Sequence, residues 1–247
     1  MRKLMVVSLF VFAIGYCANA SMIIESSGSD NPADAGFVFS GNGTFSNGSG
    51  NDGEDYWYVR STRAAYYLYT TAASNFQDPT GWTATWRTKT LLENSIAETD
   101  NFLCARDGAY RFDMSICGGT ATREAGVYVL LKTGYVRLDV PAVNVADYHT
   151  YQIVYNPDTA NVSYCIDGDI LATYAKTSMY ATTLSEMRWG DQYSTTTAAH
   201  ENRYALISLE TGQNIVPEPA SIALLALGGL LLRNRKSKCF VFNKLVR

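Results

Sequence analysis

The stretch FLCARDGAYRFDMSI, residues 102–116, narrows the fold more than any other part of the chain. Tyr110, Phe112, Met114 and Ile116 alternate strictly with Arg111, Asp113 and Ser115. A period of two puts the first set on one face of a strand and the second on the other, a separation that no helix makes. Asp107-Gly108, just upstream, suits the positive φ of a tight turn, so the segment reads as a β-hairpin.

The pattern recurs along the chain. In GWTATWRTK (81–89), Trp82, Ala84 and Trp86 share one face and Thr83, Thr85, Arg87 and Lys89 the other, which predicts a half-buried strand. VYVLLKTGYVRLDV turns at Thr133-Gly134. HTYQIVYNPDTANVSYCIDGDILATY turns at Asn156-Pro157-Asp158 and again at Asp167-Gly168. MRWGD and RYALISLE supply late strands. GNGTFSNGSGNDG (41–53) is so rich in Gly, Asn and Ser that it reads as loop. Many short strands without intervening helical periodicity predict an all-β fold, a two-sheet antiparallel sandwich or jelly roll.

The two ends of the chain follow different rules. At the start, Arg2 and Lys3 precede an apolar run from Leu4 to Tyr16, and Ala18-Asn19-Ala20 follows. That is the pattern of a secretory signal, with signal peptidase expected to cut between Ala20 and Ser21. Near the other end, VPEPASIALLALGGLLLRNRK holds an uncharged run of 13 residues from Ala220 to Leu232. A short hydrophobic helix of this length falls below the roughly 20 residues of a comfortable span. Arg233, Arg235, Lys236 and Lys238 then form a basic cluster that holds this end on the cytoplasmic side. The domain before it is thereby expected outside.

VPEP, the Ala/Leu/Gly-rich run and the basic cluster together resemble the PEP-CTERM sorting segment of bacterial exosortase substrates, with Pro217, Glu218 and Pro219 as the matching motif. The resemblance implies processing by an exosortase-type enzyme, membrane association through the segment before processing, and delivery to the cell surface or extracellular matrix. The chain continues past the basic cluster as CFVFNKLVR, where such tails commonly stop, so a simple C-terminal anchor is the alternative.

A second resemblance lies in the order GWTATWRTK, then DYHTYQIVYNPDTANVSYCIDGDIL, then MRWGDQYSTTTAAHENRYALISLETG. It is similar to the concanavalin A-like lectin/glucanase superfamily, in particular its laminin-G-like modules, over roughly residues 37–211. It implies the sandwich and says little of activity. The expected organisation is signal peptide (1–20), N-terminal lead-in (21–36), β-sandwich (37–211), linker (212–216), sorting and membrane segment (217–238) and tail (239–247).

Between the signals, residues 21–216 carry 12 Lys and Arg against 22 Asp and Glu, a formal charge of −10. Phosphate binding needs clustered cations, so nucleic acid is not an expected partner. Cys104, Cys117 and Cys165 are three, an odd number that cannot all pair internally; one disulfide or buried thiols both fit.

Positive signals for catalysis are absent. Glucanases of the superfamily carry Glu-x-Asp-x-x-Glu to set two carboxylates across the sugar bond. Here Glu98-Thr99-Asp100 is the nearest match, and Leu103 stands in place of the second Glu. The two histidines, His149 and His200, form no H-E-x-x-H pair, and His149 shares a strand face with Tyr151, Ile153 and Tyr155, as a packed histidine would. There is no G-x-S-x-G and no phosphate loop.

Sugar binding draws on aromatic platforms beside polar groups, and 17 Tyr and 4 Trp make such platforms available, though core packing claims most of them. Trp57, with Arg106, Arg111 and Asp113 facing outward together from one hairpin, are the candidate ligand residues. Asp52, Glu54 and Asp55 are a candidate calcium site through oxygen ligands, the plainer alternative being solvated loop acids. The reading is a secreted, non-catalytic, glycan-binding sandwich with extracellular polysaccharide as partner. A carbohydrate-active enzyme of the same fold and a purely structural surface protein are its alternatives.

Overall fold

The structure is a computed structural model and describes residues 21–49, 53–77, 79–91, 100–117, 124–138, 144–191 and 200–212. Ala20, Asp52, the motif Pro217, Glu218 and Pro219, and the cluster Arg233, Arg235, Lys236 and Lys238 lie outside these. Among the described residues no helix is long and apolar enough to cross a membrane.

The strands are β1 (Met22–Ser27), β2 (Val38–Ser49), β3 (Asp55–Thr70), β4 (Trp82–Leu91), β5 (Asp100–Asp107), β6 (Tyr110–Cys117) and β7 (Gly126–Leu131). They continue with β8 (Gly134–Arg137), β9 (His149–Asn156), β10 (Asn161–Ile166), β11 (Asp169–Ala175), β12 (Tyr180–Ala181), β13 (Ser185–Asp191) and β14 (His200–Thr211). All pairings are antiparallel, along the path β11-β10-β9-β4-β14-β3-β13-β5-β6-β7-β8.

That path is continuous because one long strand serves two sheets. The first part of β3 pairs Trp57–Ser61 with β14, and its last part pairs Ala65–Thr70 with β13. The ladder therefore folds over into two antiparallel sheets packed as a sandwich. Trp82 of β4 meets Phe112 of β6 edge-on across the layers at 5.2 Å, and Trp189 of β13 meets Tyr204 of β14 at 4.5 Å.

The alternation in 102–116 lands as its period dictates. Phe112, Met114 and Ile116 point into the core at 1% exposure or less, beside Leu103 and Ala105 of β5. The turn at Asp167-Gly168 has φ of 53° and 91°, the positive pair that a two-residue hairpin needs to match strand twist.

Three expectations need correcting. Residues 41–49 belong to β2, which pairs along β3 with a register shift between Gly41 and Gly43, so sheet pairing overrides a loop-like composition. The lead-in is part of the sandwich, since β1 pairs with β14 and Ser21 exchanges hydrogen bonds with Thr211. Strand β4 keeps its half-buried alternation at Arg87 and Lys89, but its first half is buried on both faces: Thr83 and Thr85 are 0% and 1% exposed, and Thr85 accepts from Gln152 at 3.1 Å while Thr83 donates to the Gly212 carbonyl at 2.8 Å. A strand central in its sheet tolerates this because threonine is short and its hydroxyl is satisfied.

The core also contains a polar chain. Tyr204 donates to Asn101 at 2.5 Å, Asn101 donates to Thr88 at 2.9 Å, and Thr90 donates to Asn202 at 2.8 Å. These bonds cross between β14, β5 and β4, so they fix how one sheet is placed over the other as well as how far apart.

Gly190 lies opposite Tyr66 in the pairing of β13 with β3. Its φ is 134°, and a Cβ there would lie 2.6 Å from the Ala65 carbonyl oxygen and 2.7 Å from the Tyr66 Cα. Backbone atoms in a central ladder cannot move aside. Gly190→Ala is therefore expected to cost about 2 kcal/mol, read from urea unfolding; a loss below about 0.5 kcal/mol would show that the strand absorbs the methyl group.

Candidate functional site

The β5–β6 hairpin builds the site. Asp107 closes its turn by accepting from the Ala109 and Tyr110 amides at 2.9 and 2.7 Å, and Lys176 pairs with the second carboxylate oxygen at 2.6 Å. The turn sets the register that places Arg106 opposite Arg111 and Cys104 opposite Asp113. On the other side of β5, strand β13 brings Glu186 beside Arg106 and Arg188 beside Cys104.

Two charged rungs thus cross the outer face of the sheet that holds β13, β5 and β6, Glu186-Arg106-Arg111 and Arg188-Cys104-Asp113. Glu186 bridges two cations, at 2.8 Å to Arg106 and 2.6 Å to Arg188. Asp113 takes Arg111 through both its oxygens, at 2.9 and 2.5 Å. The next rung is aromatic: the Arg111 guanidinium lies over Phe102 at 5.6 Å and that of Arg188 over Tyr66 at 5.1 Å.

The sequence expectation holds Arg106, Arg111 and Asp113 on one face, and the structure brings them together. It corrects their exposure. The Asp113 side chain is 0% exposed and that of Arg106 is 9%, because the long arginines lie across their short neighbours; Arg111 at 24% and Arg188 at 16% are the reachable cations. Glu186 and Arg188 were not singled out from MRWGD, where Trp-Gly-Asp reads as packing and turn. Their signal was the alternation Glu186, Arg188, Gly190 on one strand face.

Trp57 does not join this group. It is 8% exposed, donates its indole N–H to the Tyr67 hydroxyl at 3.1 Å, and packs against Phe45 in the aromatic core. Burial accordingly pushes the Tyr67 hydroxyl up to about 12. Of the calcium candidates, Asp52 lies outside the described residues, Glu54 is paired with Arg87 and Asp55 opens β3; among the described residues no three His, Cys, Asp or Glu are placed to hold a metal ion.

Cys104, Cys117 and Cys165 are buried thiols. Burial, reinforced by the neighbouring Asp113, raises Cys104 well above an ordinary thiol, and burial pushes Cys165 up to about 12. Neither offers a thiolate for nucleophilic chemistry near neutral pH.

His149 does more than pack. It meets Asp167 at 2.6 Å through Nδ1 and the Asn144 carbonyl at 3.2 Å through Nε2, while the Thr150 amide donates to the other Asp167 oxygen at 2.7 Å. The Asp167 hydrogen bond, opposed by burial, raises His149 above 6.5. Burial would raise Asp167, but the hydrogen bonds from His149 and Thr150, with the charges of His149 and Arg87, hold it below 3.8.

The linkage has a definite sign. The raised imidazole stabilises the fold fully below its unfolded value and loses that contribution as pH rises through its folded one; the lowered carboxylate stabilises above its unfolded value and fails as pH falls. The pair therefore contributes most between 3.8 and 6.5. An NMR titration of the chain's two histidines should place the His149 midpoint above 6.5, and Asp167→Asn should lower it; a midpoint that Asp167→Asn leaves unmoved would refute the pairing.

Comparison with known proteins bears on the tail and on the fold separately. Residues 216–236 match the PEP-CTERM protein-sorting motif. No curated protein matches the chain. Among solved structures, the carbohydrate esterase vb_24B_21 from the Shiga toxin-encoding bacteriophage phi24B is similar at a TM-score of 0.58 and 13% identity, covering 79% of this chain and 100% of that one. Peanut lectin is similar at 0.52 and 11%, covering 80% and 99%. The binding domain of botulinum neurotoxin DC is similar at 0.54 and 9%, covering 78% of this chain and 49% of that one. At these identities the likeness is one of fold: a lectin-like β-sandwich. The tail marks the chain for export and cell-surface sorting by an exosortase.

Proposed function

We propose that this exported, surface-sorted chain is a non-catalytic glycan-binding module whose site is the outer face of β3, β13, β5 and β6. The observation that carries the reading is the gathering of Arg106, Arg111 and Arg188 on one sheet face, two of them seated on aromatic rings. Sugars present hydroxyl oxygens along their edges and C–H groups on their faces, which arginine forks and aromatic rings complement. The lectin among the solved neighbours supports the same use of the fold.

The esterase neighbour and the two acids of the face raise an enzymatic alternative, and their placement argues against it. Glu186 and Asp113 come from β13 and β6 with β5 between them, and glycosidase chemistry needs two carboxylates free to serve as acid and as nucleophile or base. Each is instead occupied by arginine. The test is a polysaccharide pull-down followed by an assay for released sugar or acyl groups. Retention without release is the expected result, and release would overturn the non-catalytic reading.

A further inference from the structure

We propose that the glycan held by this face is anionic, recognised through carboxylate or sulfate groups on the sugar; the inference rests on the glycan-binding reading above. Three guanidinium groups meet two carboxylates here, so the centre of the face carries a charge of +1 within a region, 21–216, whose formal charge is −10. The hydrogen-bonding balance is more uneven than the charge. A guanidinium is a fork of donors without an acceptor, and Glu186 and Asp113 are the acidic acceptors among them. The Nε–H of Arg106 is buried beneath the face without an acceptor among the described residues, while the forks of Arg111 and Arg188 reach the surface and supply the donors a ligand can meet. A face with surplus donors in a semi-buried setting favours a ligand that brings anionic acceptors.

The geometry also prepares these donors. Asp113 pins Arg111 from below and Glu186 pins Arg188, while Phe102 and Tyr66 fix the planes of the two guanidiniums. Their rotamers are ordered before a ligand arrives, so little further entropy is lost on binding. A planar carboxylate or a sulfate fits such a fork in bidentate fashion, whereas a hydroxyl uses one donor at a time. Repulsion from the acidic remainder of the surface would oppose loose, non-specific attachment of a polyanion and leave this face as the point of contact.

The experiment uses the full chain in detergent with matched polymers: polygalacturonate against its methyl ester, and dextran sulfate against dextran. Each pair shares a backbone and differs in charge. Retention of at least one anionic polymer about tenfold above its neutral counterpart, weakened by added salt, is expected. The polymer retained, polygalacturonate or dextran sulfate, tells carboxylate from sulfate. Arg188→Ala is the informative variant, because Glu186 keeps Arg106 as a partner and the thermal midpoint should hold while retention falls about tenfold. Equal retention of charged and neutral polymers, unmoved by Arg188→Ala, overturns the anionic assignment and leaves glycan binding standing. Retention of none of the four overturns the glycan reading itself.

Discussion

Trp189→Ala lowers the stability of the sandwich by about 4 kcal/mol, the largest effect expected of any single truncation here. Trp189 is 0% exposed and meets Tyr67 at 4.6 Å, Tyr204 at 4.5 Å and Phe37 at 5.8 Å. Tyr67 and Tyr204 come from β3 and β14, so the indole fills the place where the switching strand carries the chain from one sheet to the other. Alanine would leave a cavity that rigid strands on several sides cannot close. Among the described residues the indole N–H has no acceptor, so its loss orphans no partner there. Trp189→Phe should for that reason cost far less, under about 2 kcal/mol. Urea unfolding should show the alanine midpoint lower by roughly 1.5 M. A drop of less than about 0.5 M would mean that the core repacks around the gap.

Asp113→Ala should cost about 3 kcal/mol for a different reason. The carboxylate, on a side chain with no exposure, holds Arg111 through both oxygens, and its removal strands a guanidinium that is itself three-quarters buried. The cost comes from the unpaired cation more than from the lost bond. The double variant Asp113→Ala with Arg111→Leu should accordingly recover most of the loss, a coupling that a double-mutant cycle measures directly. Additive losses in the two variants would show that the pair is not held as a unit. The result also bears on the binding proposal, since Asp113 would then act as the post that positions Arg111 and not as a ligand group.

Particular residues show how far the chain could be read without its fold. The alternation of Phe112, Met114 and Ile116 with Arg111, Asp113 and Ser115 told which side chains share a face, and the structure keeps both sets intact. Alternation cannot say which strand lies alongside. Glu186 and Arg188 are some seventy-five residues from Asp113, and only the pairing of β13 with β5 brings them to Arg106 and Cys104. Likewise, Gly41 to Ser49 has the composition of a loop, yet a partner strand and the packing of Phe45 on Trp57 make it sheet.

Local chemistry was decided by the sequence alone: the turn at Asp167-Gly168, the alternating faces of β4 and β6, and the sorting motif at 216–236 each depend on neighbours a few residues apart. Tertiary structure decided everything that depends on distance through space. It set the switch of β3 between sheets, buried Trp57 and Asp113 where exposure was expected, and turned scattered arginines into one donor-rich face. Strand periodicity fixes the side on which a residue points, but burial and charge partnership follow from which strands pair and what packs over them.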